Sequence, residues 1–286
     1  MSIRDARKAE AEKHLGLVRG IFASETAKAV EAAVLYEDGE GRDLEVPAAR
    51  YEQTATSVAF ESQAKAAVRA KGKVGILDMA SYRYAGGSYA NGGWSPEEQL
   101  CSESNLYPVL EGLQELYYAD NRNSMRGELY SDRSLYVPGV MFLTDGKMLA
   151  RDVIVCAAPN RSRAIENHRS EAECDMDLAN RCKNIMHIAA ANEVDTLILG
   201  AFGCGYLGND PATVAGHFKE WIDAHPGVFE SVVFAIPGGP ALDVFRDVFA
   251  SADAEPKVVE TVSEDTEDDD EEEWLPPTNE DGRWVF

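Results

Sequence analysis

From residue 74 onward the chain alternates short apolar runs with longer stretches of helical periodicity. VGILDM (74–79), LYVPGVMFL (135–143), DVIVCAAP (152–159), VDTLILGAFG (194–203) and SVVFAI (231–236) have strand length. The second run is interrupted by Pro138-Gly139 and followed by a T-D-G-K turn at 144–147. DVIVCAAP and VDTLILGAFG are apolar almost throughout, as strands covered on both faces should be. Helices are expected from Pro96 to about Tyr118, from about Met176 to Asn192, over 211–224 and through Phe249. Before residue 74 the pattern reads as helical. Residues 3–33 are rich in Ala, Glu, Lys and Arg, with Leu15, Val18, Ile21 and Phe22 at helical spacing, and another helix is expected across 53–70. Strands alternating with helices predict an α/β domain whose mixed, largely parallel sheet is covered by helices on both sides. The implied division is an N-terminal helical accessory region over 1–73, a core over 74–250 and a tail over 251–286.

Composition adds limits on function. The 286 residues are 45% hydrophobic, enough for a sizeable core, yet no apolar run approaches the roughly 20 residues of a membrane-spanning helix. The charged start MSIRDARKAEAEKH lacks the apolar segment of a signal peptide, so neither secretion nor membrane insertion is expected. The net charge of −23 is concentrated at one end, where residues 251–286 carry 14 acidic and 2 basic side chains. The block EDTEDDDEEE cannot bury apolar surface and is expected to form a solvated, disordered tail. Docking to a basic partner, with the closing WVF as anchor, is the functional alternative. The acidic body argues against a broad basic face for duplex nucleic acid. Five cysteines without a C-x-x-C pair fit neither a disulfide framework nor a zinc ribbon. They point to a reduced compartment, cytoplasmic or nuclear. The five histidines form no H-E-x-x-H, and no metal site is expected.

Two glycine-rich stretches, GGSYANGGWSPEEQLC (86–101) and GCGYLGND (203–210), each follow a buried strand and precede a helix. Open α/β sheets bind ligands at that place, outside the carboxyl ends of the strands. In the first stretch Ser95, Pro96 and Glu98 suit N-cap, N1 and N3 of a helix, a capping box that accounts for the glutamates without any catalytic role. In the second, Gly203, Gly205 and Gly208 let backbone N–H groups approach a phosphate, and the helix after Asn209-Asp210-Pro211 adds its positive end. GCGYLG matches G-x-G-x-x-G, but SVVFAI ends in Pro-Gly-Gly rather than the acid of a nucleotide dehydrogenase, and a Walker lysine is absent. The loops are therefore phosphate cradles of another kind, or only tight turns.

The order GGS-x7-PEEQLC, VPGVMF, CAAPN and LGAFGCGYLGNDP resembles the bacterial-type poly(ADP-ribose) glycohydrolase family, a branch of the macrodomain fold. The likeness runs from about residue 74 to 250, and the twelve residues from Gly200 to Pro211 fit the family pattern in register. It implies a three-layer α/β/α macrodomain-like core with extra N-terminal helices, a monomer, and an ADP-ribosyl hydrolase needing no cofactor. Glu98 would be the catalytic acid/base, its proton affinity raised by burial and by the Glu97 charge, while Glu97 would hold a ribose hydroxyl. Ser81, Gly86, Gly87, Ser88, Asn91 and Asn209 would contact the ligand. The glycine loop at 203–208, with Gly203, Cys204, Gly205 and Gly208, would hold the diphosphate, with Tyr206 or Leu207 against the distal ribose or adenine. The substrate would be poly(ADP-ribose) or single ADP-ribose groups on protein or nucleic acid; the alternative is an ADP-ribose-binding module without turnover. Two departures stand out: Ser88 replaces the third glycine of the family's G-G-G, and Pro96 replaces the Gln before its glutamate pair.

Overall fold

The computed structural model describes residues 2–250, so the expectations for the acidic tail lie outside the described residues. Seven strands are present: β1 (Val34–Tyr36), β2 (Ala55–Ala59), β3 (Val74–Met79), β4 (Ser134–Thr144), β5 (Lys147–Cys156), β6 (Thr196–Leu199) and β7 (Ser231–Ala235). They form one sheet in the order β1-β4-β5-β3-β6-β7-β2. The run from β5 to β2 is parallel, while β4 lies antiparallel to both β5 and β1. The sheet is thus mixed and largely parallel, as the sequence predicts.

Side-chain alternation along the strands divides the core in two. Val74 and Ile76 of β3, Val153 and Val155 of β5 and Ala235 of β7 pack on one face, against α1 (Ile3–Ile21), α2 (Ala23–Ala32), α3 (Gln63–Arg69), α4 (Pro96–Ser102) and α5 (Leu106–Gly112). Leu77, Ile154, Cys156, Val232 and Phe234 pack on the other. After the short helices α6 (Ala119–Asn121) and α7 (Arg161–Glu166), that second face is covered by α8 (Glu171–Ala191), α9 (Pro211–Ala224) and α10 (Pro240–Phe249). The result is the three-layer arrangement. The same alternation turns Asp78 toward the α1–α5 layer, where the remainder of that face is apolar.

Three expectations are corrected. The helix across 53–70 is instead β2 followed by α3. Thr56, Ser57 and Val58 suit a strand, pair in parallel with β7, and Ser62 caps the short helix that follows. The region 1–73 is consequently not a purely helical accessory, because β1 and β2 form both edges of the sheet. The single helix from Pro96 to Tyr118 is broken. Ser104 forms a bridge with Phe142, the Asn105 N–H donates to the Met141 carbonyl, and the Leu143 N–H donates to Glu103. The chain pauses to pair with β4, then resumes as α5 and a π-helical turn (Gln114–Tyr118).

Candidate active site

Glu97 and Glu98 open α4 and are 2% and 6% exposed. Ser95 and Glu98 form the expected capping box, and the Glu98 carboxylate accepts the Ser95 N–H on Oε2. Its other oxygen, Oε1, accepts the Ser88 N–H at 2.8 Å. Glu98 therefore ties the start of its own helix to the glycine loop, and a carboxylate oxygen with one amide donor keeps a lone pair for a further partner. Glu97 Oε2 accepts the Ser81 N–H at 2.8 Å, whereas Oε1 has no hydrogen-bond partner among the described residues. Burial, then the Asp78 charge, push the Glu97 carboxyl well above the ordinary range, against the pull of the Ser81 amide and with a smaller push from Glu98. The strongly raised group of the pair is thus Glu97.

The glycines follow from this packing. Gly87 has φ +55°, and a Cβ there would stand 2.7 Å from Glu98 Oε1 and 2.9 Å from Glu97 Oε2. At Gly86, with φ +63°, a Cβ would run into the Tyr107 ring and stand 3.3 Å from Cys101 Sγ. Ser88 has φ −106°, so the third family glycine is not needed for backbone conformation here. Pro96 sits at N1, where the lost N–H is one the helix leaves unpaired anyway, and the glutamate pair still turns inward. Ser81 contributes its amide to Glu97 and accepts the Tyr84 N–H on its hydroxyl. Asn91 is not brought to the carboxyls by any hydrogen bond; its side chain is exposed and its carbonyl accepts Arg4 Nε at 3.0 Å. With the Tyr89–His14 hydrogen bond of 2.7 Å and Arg7 4.8 Å over the Trp94 ring, that contact makes α1 a brace for the loop.

The second loop leaves β6 and enters α9, whose N-cap Asp210 accepts the Thr213 N–H. Asn209 Nδ2 donates to the carbonyls of Pro159 at 2.9 Å and Gly203 at 3.1 Å, closing the loop on itself and on the end of β5. Gly203 (φ +70°) lies against Asn209 and Ala158, and Gly208 (φ +78°) against Ser162, so both are sterically required. Gly205 faces open space. Among the described residues, the N–H groups of Gly205, Tyr206 and Leu207 donate to no protein acceptor, the arrangement of an anion cradle. Cys204 directs its thiol to the Phe202 carbonyl, and Leu207 accepts the Ser162 N–H. Tyr206 is 77% exposed, and the strongest charges acting on its phenol are Glu98 and Glu97, which links the two loops.

Sequence reasoning passed over Asp78, Tyr118 and the α1 brace. Asp78 had a visible signal, a carboxylate in an otherwise apolar strand; Arg4, Arg7 and His14 had none, because their role depends on how α1 docks. No group of His, Cys, Asp and Glu side chains able to hold a metal occurs among the described residues. All five cysteines are free thiols. No described helix is long and apolar enough to cross a membrane.

The family model of the microbial-type PARG catalytic domain matches residues 18–145. The poly(ADP-ribose) glycohydrolase of Thermomonospora curvata is 30% identical, with a TM-score of 0.76 over 86% of this chain and 100% of that one. The same enzyme bound to the inhibitor ADP-HPD gives a TM-score of 0.75 at 30% identity and the same coverage. The poly(ADP-ribose) glycohydrolase of Deinococcus radiodurans in complex with ADP-ribose is also 30% identical, with a TM-score of 0.69 over 78% of this chain and 96% of that one. Among curated proteins nothing matches.

Proposed function

The chain belongs to the bacterial-type poly(ADP-ribose) glycohydrolase family, and on that premise we propose that it hydrolyses the ribose glycosidic bond of poly(ADP-ribose) or of single ADP-ribose groups on an acceptor. The observation that carries this reading is the pair of buried carboxyls at the start of α4, fixed by loop amides and facing the second glycine loop. Relatives solved with ADP-ribose or ADP-HPD support the same ligand here. The free amides of Gly205, Tyr206 and Leu207, with the N-terminus of α9 behind them, suit its diphosphate.

Breaking the bond builds positive charge at the ribose carbon and negative charge on the departing oxygen. Glu98 is assigned the acid/base role: protonated, it donates to the leaving oxygen; as carboxylate, it takes a proton from the attacking water. Its two amide bonds hold it in one orientation through both steps. Glu97, kept neutral by burial, donates to a ribose hydroxyl and leaves Glu98 the one group that changes charge. Positioned acid/base help of this kind is worth about 10²–10⁴-fold.

The test is release of free ADP-ribose from an automodified ADP-ribosyl transferase. Wild type is expected to release it, and Glu98→Gln to abolish turnover while calorimetric ADP-ribose binding persists. No release by wild type from polymer or mono-modified protein would overturn the reading; equal rates for both proteins would overturn the role of Glu98.

A further inference from the structure

Behind the site lies a polar group that the mechanism above does not use. Asp78 is 0% exposed, and neither of its carboxyl oxygens has a hydrogen-bond partner among the described residues. Glu97 Oε1 and the hydroxyl of Tyr118, also fully buried, share that condition. Buried polar atoms are paired in the large majority of cases, so four orphans on three neighbouring side chains call for a cause. α4 packs on β3, and the Ser81 N–H just past the end of β3 donates to Glu97 Oε2 at 2.8 Å, which sets Glu97 beside that strand end; Asp78 is the strongest charge acting on Glu97, and Glu97 and then Asp78 are the strongest on Tyr118.

Among the described residues, no Lys, Arg or His is among the strongest charges acting on Asp78, on Glu97 and Cys101 of α4, or on Tyr118 of the π-helical turn. Neither Asp78 nor either glutamate joins an ion pair among the described residues. Ionised carboxylates are acceptors only, so two facing each other cannot pair, and the Tyr118 hydroxyl is the one donor among the four orphans. A protonated carboxyl is a donor as well and resolves both the charge and the pairing.

We propose that Asp78 is a positioning residue for the hydrolysis, sharing protons with Glu97 so that the Glu97 carboxyl meets the ribose in its neutral, donating form. This rests on the function given above. Burial, then the Glu98 charge, raise the Asp78 carboxyl to about 8, and burial, then the Asp78 charge, raise Glu97 well above the ordinary range. The two carboxyls therefore titrate as a pair, and a charge on Asp78 holds the proton on Glu97.

The experiment is Asp78→Asn, which keeps shape and removes the titrating group. The alkaline limb of kcat/KM against pH is expected to move down by about one pH unit or more, with ADP-ribose binding retained. In the infrared spectrum, wild type at neutral pH is expected to show the carbonyl band of protonated buried carboxyl, weakened in Asp78→Asn. An unmoved alkaline limb, or a band equal in both proteins, overturns the proposal. Should the variant not fold, the wild-type band decides: it is expected to fade first near pH 8, and complete loss below about pH 6 overturns the proposal. The band needs no turnover, so a protein without hydrolase activity sinks the functional reading and leaves this one separately judged.

Discussion

Replacing Gly87 with alanine tests whether the glycine loop sets the position of the carboxyl pair. The backbone there has φ +55°, where a Cβ costs roughly 1–2 kcal/mol. The added methyl would also stand 2.7 Å from Glu98 Oε1 and 2.9 Å from Glu97 Oε2. Restoring ordinary contact at 3.4 Å requires a shift of about 0.7 Å by Glu98 or by the loop. Glu98 cannot yield freely, because Ser88 and Ser95 hold its two oxygens. Misplacement near 1 Å costs about 10²-fold in rate. Gly87→Ala is therefore expected to lose about 1–3 kcal/mol of stability and about two orders of magnitude in kcat. Calorimetric melting and initial rates of ADP-ribose release check both. Gly216→Ala, in α9 with no atom within 4 Å of its added Cβ, is the control and should gain about 0.5–1 kcal/mol. A Gly87→Ala protein within about threefold of wild-type kcat would refute the claim that this glycine sets the catalytic geometry.

Stability should depend on pH through Asp78. Its carboxyl titrates near 8 in the folded chain against an ordinary 3.8, so the folded state binds the extra proton between those values. Stability is then lost as pH rises through that window, by up to about 1.4 kcal/mol per pH unit. Asp78→Asn removes this contribution, and urea unfolding should show its stability relative to wild type improving from pH 5 to pH 8; a constant difference would count against the buried proton. Asn209→Ala removes the side-chain donors to Pro159 and Gly203 and takes this partner from the Pro159 carbonyl, at about 1–3 kcal/mol, while the backbone N–H of residue 209 still donates to Gly203. The loosened cradle should weaken ADP-ribose binding about tenfold by calorimetry, and an unchanged Kd would show that Asn209 serves the fold alone.

Strand identity was most legible where both faces are covered, as in DVIVCAAP and VDTLILGAFG, because a continuous apolar run has no polar side to turn toward water. It failed at 55–59, where ATSVA resembles neither a buried strand nor an alternating one. As an edge strand with much of its surface exposed, β2 carries little hydrophobic signal. The break after Ser102 was illegible too, since its cause is a pairing with Phe142 far along the chain. At the site, SPEEQ announced a helix start that is indeed there, with Glu98 folded back as a capping box allows. Local rules could not show that the same carboxylate also takes the Ser88 amide, nor that Glu97 meets a third carboxyl from β3. Those facts depend on how the loop closes.

Both rims of the sheet come from the segment 34–59, with β1 against β4 at one side and β2 against β7 at the other. A chain begun at residue 74 would still contain the glycine loops and the glutamate pair, yet it would present β4 and β7 as open templates for other molecules. β2 must also wait for β7, the last of the described strands, before it has a neighbour. Folding therefore closes late, by a long-range step of the kind that slows assembly. Trimming the amino-terminal segment to obtain a smaller enzyme is expected to yield aggregates, even though every active-site motif would be retained.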